Sequence, residues 1–285
     1  MAIDAQKVKE LREKTGLPMM ECKRALEAAN GDVEKAIENL RKAGMKAQAK
    51  LAGRTANQGL IGSRIGDDGR VGVLVALRCE TEPVSKNEKF REVLEQIVDV
   101  VASDDPADRD ALLEAKTASG ATVEASITEL INHIRENISL GRFARFEADA
   151  VVQYVHFDGK KAGMVAVNGG SRTDEAVVEM GNNIGQHIVF HRPESLSRDR
   201  LDPAIVENEK AIHLAAAKND ARNAKKPPEI LEKIVSGQVE KFIASQCLVE
   251  QPYVKDDKQT VAQYVKSVSP KLVLADFAYV ATDMD

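Results

Sequence analysis

One stretch of this chain is written twice. DGRVGVLVALRCETE at 68–82 resembles DGKKAGMVAVNGGSR at 158–172. Each copy opens on Asp-Gly, the strongest short hairpin-turn signal, because glycine supplies the positive φ such turns need. Each then runs into small and β-branched residues that suit a pleated, buried strand. An apolar segment precedes each turn, NQGLIGSRIG in the first copy and ADAVVQYVHF in the second. An apolar helix pattern follows each, NEKFREVLEQIVDVVAS at 87–103 and DEAVVEMGNNIGQHIVF at 174–190. A chain that repeats hairpin then helix has to bury two amphipathic sheets. The expectation is an α+β fold with two related subdomains, each packing helices on one face of an antiparallel sheet.

Residues 1–41 read differently, as three short helices. Val8 and Leu11 share a face of the first, which stops near Thr15-Gly16. Pro18 suits the first turn of the second, where Met19, Cys22, Ala25, Leu26 and Ala29 recur at helical spacing. That spacing puts Met19 with the core stripe, whereas Met20 lies about 100° round the helix and is the better surface contact. Asn30-Gly31 ends this helix and Asp32 caps the next, whose stripe is Val33, Ala36, Ile37 and Leu40. The segment RKAGMKAQAKLAGR (41–54) holds five basic residues and no acid, as a basic tether or helical linker does.

Residues 105–142 have helical patterning, with one segment ending at Gly120 and the next carrying Ile127, Leu130, Ile131 and Ile134 on one face. From about 202 to 245 a polar, Ala-rich helix, a Lys225-Lys226-Pro227-Pro228 turn and a returning helix predict an inserted helical hairpin. The pattern fits structural bracing and a role in self-association or partner contact equally well. The expected division is 1–54, a helical module and basic linker; 55–148, core subdomain N; and 149–285, core subdomain C with the hairpin inserted.

The chemistry the sequence lacks narrows the function. The motifs of a phosphate loop, a dinucleotide fold and a nucleophile elbow are missing. Cys22, Cys79 and Cys247 are odd in number and form no CxxC pair, which argues for buried free thiols. His187 and His191 have helical metal-ligand spacing, but no third ligand stands near them in the sequence. Glu80 and Glu82 share a face at a strand end, without a second group to split their acidities. An enzyme is therefore the weaker class, and no cofactor or metal is expected. The net charge of −5 does not favour nucleic acid. No run approaches the roughly 20 apolar residues of a membrane span, and the N-terminus lacks a secretory apolar core. A cytoplasmic protein that works by holding another protein is the expectation.

The run VKELREKTGLPMMECKRALEAANGDVEKAIENLRKAG (8–44) resembles the N-terminal ubiquitin-associated-like module of elongation factor Ts. RCETEPVSKNEKF (78–90) is similar to that family's second signature, a cysteine, an acid or amide, then Thr-Asp-Phe-Val-Ala/Ser. HIRENISLGR (133–142) resembles its helix pattern GENI-x-x-RR, and QYVHFDGKKAGMVAV (153–167) and VEQPYVKDDKQTV (249–261) match two further core stretches. The resemblance implies a guanine-nucleotide exchange factor that binds elongation factor Tu carrying GDP, speeds GDP release and allows GTP reloading. It implies partner contacts at Lys9, Arg12, Met19, Met20 and Lys23 on the module. It implies further contacts at Thr81, Glu82, Pro83 and Val84, at Ile134 and Arg135, and at His156, a family histidine that meets the third domain of the GTPase. It implies no direct nucleic-acid contact, no membrane and no cofactor; a homodimer through the hairpin or core is a further expectation. Three positions depart from the pattern: Glu82 stands for Asp, Pro83 for the Phe that wedges beside the GTPase's Mg²⁺ region, and Arg135 for Gly. The departures leave a second reading, a stabiliser of elongation factor Tu with weakened exchange.

Overall fold

A computed structural model describes residues 4–15, 19–51, 53–219 and 226–284. Gly16, Pro18 and Lys225, to which the sequence assigns helix-end and turn roles, lie outside the described residues. The first three helices are α1 (Ala5–Thr15), α2 (Met19–Ala28) and α3 (Val33–Leu51). Val8, Leu11, Cys22, Ala25, Leu26, Ala29 and Ala36 form their small core, and the Asp32 side chain caps α3 by accepting from Lys35 N at 3.0 Å. Met19 is not in that core. It sits in the first turn of α2 and is 53% exposed. The third helix, expected to be short, runs 19 residues. Its second half, KAGMKAQAKL, is rich in strong helix formers. Its last residue, Leu51, packs into the core of the first sheet. Helix α3 is thus a connector rooted in the module core at one end and in the first sheet's core at the other.

The first sheet and its helices follow as β1 (Gln58–Ile65), β2 (Val71–Cys79), α4 (Glu82–Ser85), α5 (Glu88–Asp104), α6 (Arg109–Glu114), α7 (Val123–Ile134) and β3 (Ile138–Glu147). The second set is β4 (Ala150–Val155), β5 (Lys161–Asn168), α8 (Glu175–His191), α9 (Pro203–Asn219), α10 (Pro228–Gln246), β6 (Pro252–Tyr253), β7 (Asp256–Thr260), α11 (Val261–Val268) and β8 (Val273–Ala281). The two main sheets have strand orders β1-β2-β3 and β4-β5-β8, and all their pairings are antiparallel.

The central strands β2 and β5 are buried along nearly their whole length rather than at alternate residues. The reason is that each sheet is covered on both faces. Val73, Val75 and Leu77 of β2 pack with Leu94, Ile97 and Val98 of α5 and Ile127 and Ile131 of α7. The alternate residues Leu74 and Ala76 meet Ala162, Met164 and Ala166 of β5. The other face of β5, through Val165 and Val167, packs on Met180, Ile184 and Ile188 of α8. The architecture is therefore helix, sheet, sheet, helix, with the sheets back to back. Helix α8 lies very close to its sheet. A Cβ on Gly185 would fall 2.7 Å from Tyr154 Cβ and 3.2 Å from the carbonyl oxygen of Gly163.

The repeat is visible as a reciprocal exchange. The β1–β2 turn presents the carbonyl of Gly69 to Val151 N of β4 (2.9 Å) and that of Arg70 to Ala148 N, just after β3 (3.0 Å). The β4–β5 turn presents the carbonyl of Gly159 to Ile61 N of β1 (2.8 Å) and that of Lys160 to Thr282 N, just after β8 (3.0 Å). Each turn is thus held by the first strand of the other sheet and by the end of the third strand of its own.

Two expectations are corrected. The 105–142 region is only partly helical, and the helical reading of HIRENISLGR fails at Arg135. That residue caps α7 in the left-handed conformation at φ 68°. Beyond it, Ile138 and Leu140 are buried in register with Cys79 and Leu77 of β2, so ISLGRFARFE becomes the third strand of its sheet. The matching third strand β8 was not foreseen either. The helical hairpin is present as α9 and α10, held by Val206, Leu214, Ala217, Val235, Val239 and Ile243.

Candidate partner interface

At the end of β2 the chain turns through Glu80 and Thr81 into the four-residue helix α4. Thr81, Glu82 and Pro83 are exposed, while Val84 is buried in the first core. Proline suits this place, since the first turn of a helix needs no donor from its nitrogen. The turn is braced from beneath. Glu136 accepts from Thr81 N at 3.0 Å and from the Thr81 hydroxyl at 2.7 Å. Glu80 accepts from Asn137 N at 2.6 Å, and the Asn137 side chain donates to the carbonyl of Arg54 at 2.7 Å. The Cys79 thiol donates to the carbonyl of Thr81 at 3.2 Å. Burial, aided by the charge of Glu136, pushes that thiol up to about 11, so it stays protonated and serves as a donor rather than a nucleophile. Glu82 is paired with Lys86 at 2.8 Å, which holds its carboxyl below the usual range. Glu80 and Glu82 are therefore each engaged separately and make no catalytic couple.

The α7–β3 junction supplies the brace. Ile134 packs inward on the first core. The left-handed Arg135 sends its guanidinium to Glu21 of α2, an ion pair that ties the N-terminal module to the core. Left-handed backbone is the conformation glycine adopts most readily, which accounts physically for a glycine in the family pattern at this position. Met20 and Met19, 62% and 53% exposed, precede Glu21 on the same helix. Lys9, Arg12 and Lys23 are exposed on α1 and α2.

The β4–β5 turn approaches from the second sheet. Lys160 donates to Gln58 Oε1 at 2.6 Å and lies 3.8 Å from Glu82. His156 is half-buried, with its Nδ1 2.9 Å from the Tyr154 hydroxyl, and its ring lies 4.4 Å from that of Phe157. Three separate segments are thus linked, namely the start of α2, the Thr81–Pro83 turn with its Glu136 brace, and the β4–β5 turn. Val84 and Ile134 face inward and hold the turn, while the exposed positions lie at its tip.

Reasoning from sequence missed Glu21, Glu136, Asn137 and Lys160. Their partners are up to 114 residues away, as in the Arg135–Glu21 pair, and no local pattern marks them. Phe157 was also missed, although an aromatic residue beside an Asp-Gly turn, where the first copy has Asp67, is visible once the copies are aligned.

The remaining singled-out residues are structural. His187 is fully buried, accepts from Val254 N at 3.2 Å through Nδ1, and lies 2.8 Å from Gln251 Oε1 through Nε2. Burial pushes its pKa down to about 4. Among the described residues no group of three or more His, Cys, Asp or Glu is placed to hold a metal. Cys22, Cys79 and Cys247 are buried and in no disulfide among the described residues. No helix of the described residues is long and apolar enough to cross a membrane.

The family model described as elongation factor TS matches residues 80–281. A protein of Trichlorobacter lovleyi named elongation factor Ts is 38% identical over 279 residues, covering 95% of this chain and 88% of its own. One from an Azoarcus species with the same name is 43% identical over 267 residues, covering 93% and 86%. A third, from Amoebophilus asiaticus, is 37% identical over 277 residues and covers 97% and 98%. With its helical module, paired sheets and braced turn in place across that whole length, the chain belongs to the elongation factor Ts family.

Proposed function

We propose that the chain binds elongation factor Tu in its GDP form and promotes GDP release, so that GTP can reload. The observation that carries this is the Thr81–Pro83 turn, exposed at its tip and fixed at its base by two hydrogen bonds to Glu136. Pre-organisation of that kind lowers the ordering cost of pressing a turn against a partner. The physics of release is linkage. If the chain binds the nucleotide-free GTPase more tightly than the GDP form, GDP must bind the complex more weakly by the same factor. A chain that bound both forms equally would shift nothing. The work falls to positions 1–54 as a docking module and to the cores at 55–148 and 149–285 as the surface that deforms the nucleotide site. No cofactor of the chain's own, no membrane and no direct nucleic-acid contact are needed, and the setting is the cytoplasm. Exposed Ile212 on α9 and Ile230 on α10 offer a face for a homodimer through the hairpin, which sedimentation of the free chain would detect.

The test is release of a fluorescent GDP from elongation factor Tu of the same organism. Acceleration that saturates with the chain at micromolar concentration is expected; an unchanged rate refutes exchange. A second reading, a stabiliser with weakened exchange, is favoured by Pro83, whose small rigid ring cannot fill an aromatic pocket. Under it the chain binds and protects the GTPase while release stays slow.

A further inference from the structure

Phe157 is 92% exposed at the corner of the β4–β5 turn. A phenylalanine left in water forgoes the gain of burial, so the first question is whether the turn needs it. The internal repeat answers this within one molecule. In the second copy His156 N donates to the carbonyl of Lys161 (2.8 Å), Gly159 N to that of His156 (2.8 Å), and Lys160 N to Asp158 Oδ1 (2.9 Å). In the first copy Gly66 N donates to the carbonyl of Val71 (2.8 Å), Gly69 N to that of Gly66 (2.8 Å), and Arg70 N to Asp68 Oδ1 (3.0 Å). The glycines match too, at φ 70° for Gly159 and 71° for Gly69. The same turn with the same bonds therefore carries exposed Asp67 where the second copy carries Phe157. Nothing in the turn's construction calls for an aromatic ring.

The turn that carries the ring is nonetheless fixed. The ring's neighbour His156 lies 4.4 Å away and is itself fixed by Tyr154, while the turn is pinned to β1 through Ile61 and Gln58. Lys160 of the same turn lies 3.8 Å from Glu82, which brings the β4–β5 turn that carries Phe157 to the Thr81–Pro83 turn. We infer that Phe157 is an aromatic anchor for elongation factor Tu, seated in a shallow apolar pocket of the GTPase on the same face as Pro83. The inference rests on the proposed function and deepens it. A phenyl ring carries no hydrogen-bonding group, so the pocket opposite it is apolar; the charges of Lys160 and Glu82 form the polar rim such anchors usually have.

The test compares wild type with Phe157→Asp, which writes the first copy's residue into the second, and with Asp67→Phe, which does the reverse. Binding to nucleotide-free elongation factor Tu, acceleration of GDP release and thermal unfolding of the free chain are all measured. Phe157→Asp is expected to unfold at the wild-type temperature and to weaken binding by about 30-fold, the loss typical of a truncated hot spot. Phe157→Leu keeps an apolar group and should lose less, and Asp67→Phe should leave both readouts unchanged. If wild type accelerates release and Phe157→Asp binds equally well, the anchor is refuted while the exchange reading stands. If Phe157→Asp unfolds at a lower temperature, the ring is structural and the inference fails. If wild type neither binds nor accelerates release, both readings fall.

Discussion

Glu136 is the residue on which the geometry of the exposed turn depends most. Replacing it by alanine removes both acceptors for Thr81, at 3.0 and 2.7 Å. Hydrogen bonds to a charged group are worth about 1.5–3 kcal/mol when shielded, but Thr81 is exposed and water competes. About 1 kcal/mol per bond is the fair allowance, hence about 2 kcal/mol holding the turn. That sum weakens association by up to about 30-fold if only the ordered turn binds. Thr81→Val removes the hydroxyl bond alone and should cost about fivefold. The double variant should be hardly worse than Glu136→Ala, with a coupling energy of about 1 kcal/mol. The assay is the chain concentration that half-saturates GDP release, with thermal unfolding of the free chain as control. Additive losses would refute the argument that Glu136 acts through Thr81.

The other predictions address the sequence departures and the buried groups. Pro83→Phe restores a ring at an exposed, braced position and should raise GDP release by about 10-fold or more; an unchanged rate would mean that the ring is not what limits exchange. His187, depressed to about 4, takes up its proton in the unfolded chain before the folded one. Its stabilisation is thus complete above about pH 6.5 and is lost as pH falls toward 4, to a total of about 3 kcal/mol. Urea unfolding of wild type and His187→Gln at pH 7 and pH 4.5 tests this, since only wild type should show that part of the acid loss. Gly185→Ala forces a Cβ to 2.7 Å from Tyr154 Cβ and should cost about 1–3 kcal/mol by calorimetry; an unchanged melting temperature would mean that α8 is free to move off its sheet.

The repeat, the hairpins, the major helices and the helical insertion were legible because each rests on a local signal: an Asp-Gly turn, a helical stripe or a Pro-Pro break. The third strand of each sheet was not. ISLGRFARFE follows a helix whose end is marked only by left-handed Arg135, a conformation an arginine does not advertise, and its strand character comes from pairing with β2 more than 60 residues earlier, for example Leu140 with Leu77. The back-to-back sheets were hidden for a related reason. A strand buried on both faces reads as a continuous apolar run, and sequence alone does not say what covers the second face. Met19 was misread because periodicity assigns a face but not whether a neighbouring element covers it at that turn. At the candidate interface the exposed tip residues came from family resemblance, whereas the acids that hold the tip, Glu136 and Glu21, follow only from three-dimensional contacts.

The central claim is that the chain discriminates between forms of the GTPase. Calorimetric titration into elongation factor Tu, once with GDP bound and once nucleotide-free, measures that difference directly. The account predicts tighter binding to the nucleotide-free form, by the same factor by which the chain weakens GDP binding in the reciprocal titration. Equal affinities for the two forms would contradict it, however tight the binding, because such a ligand cannot expel nucleotide.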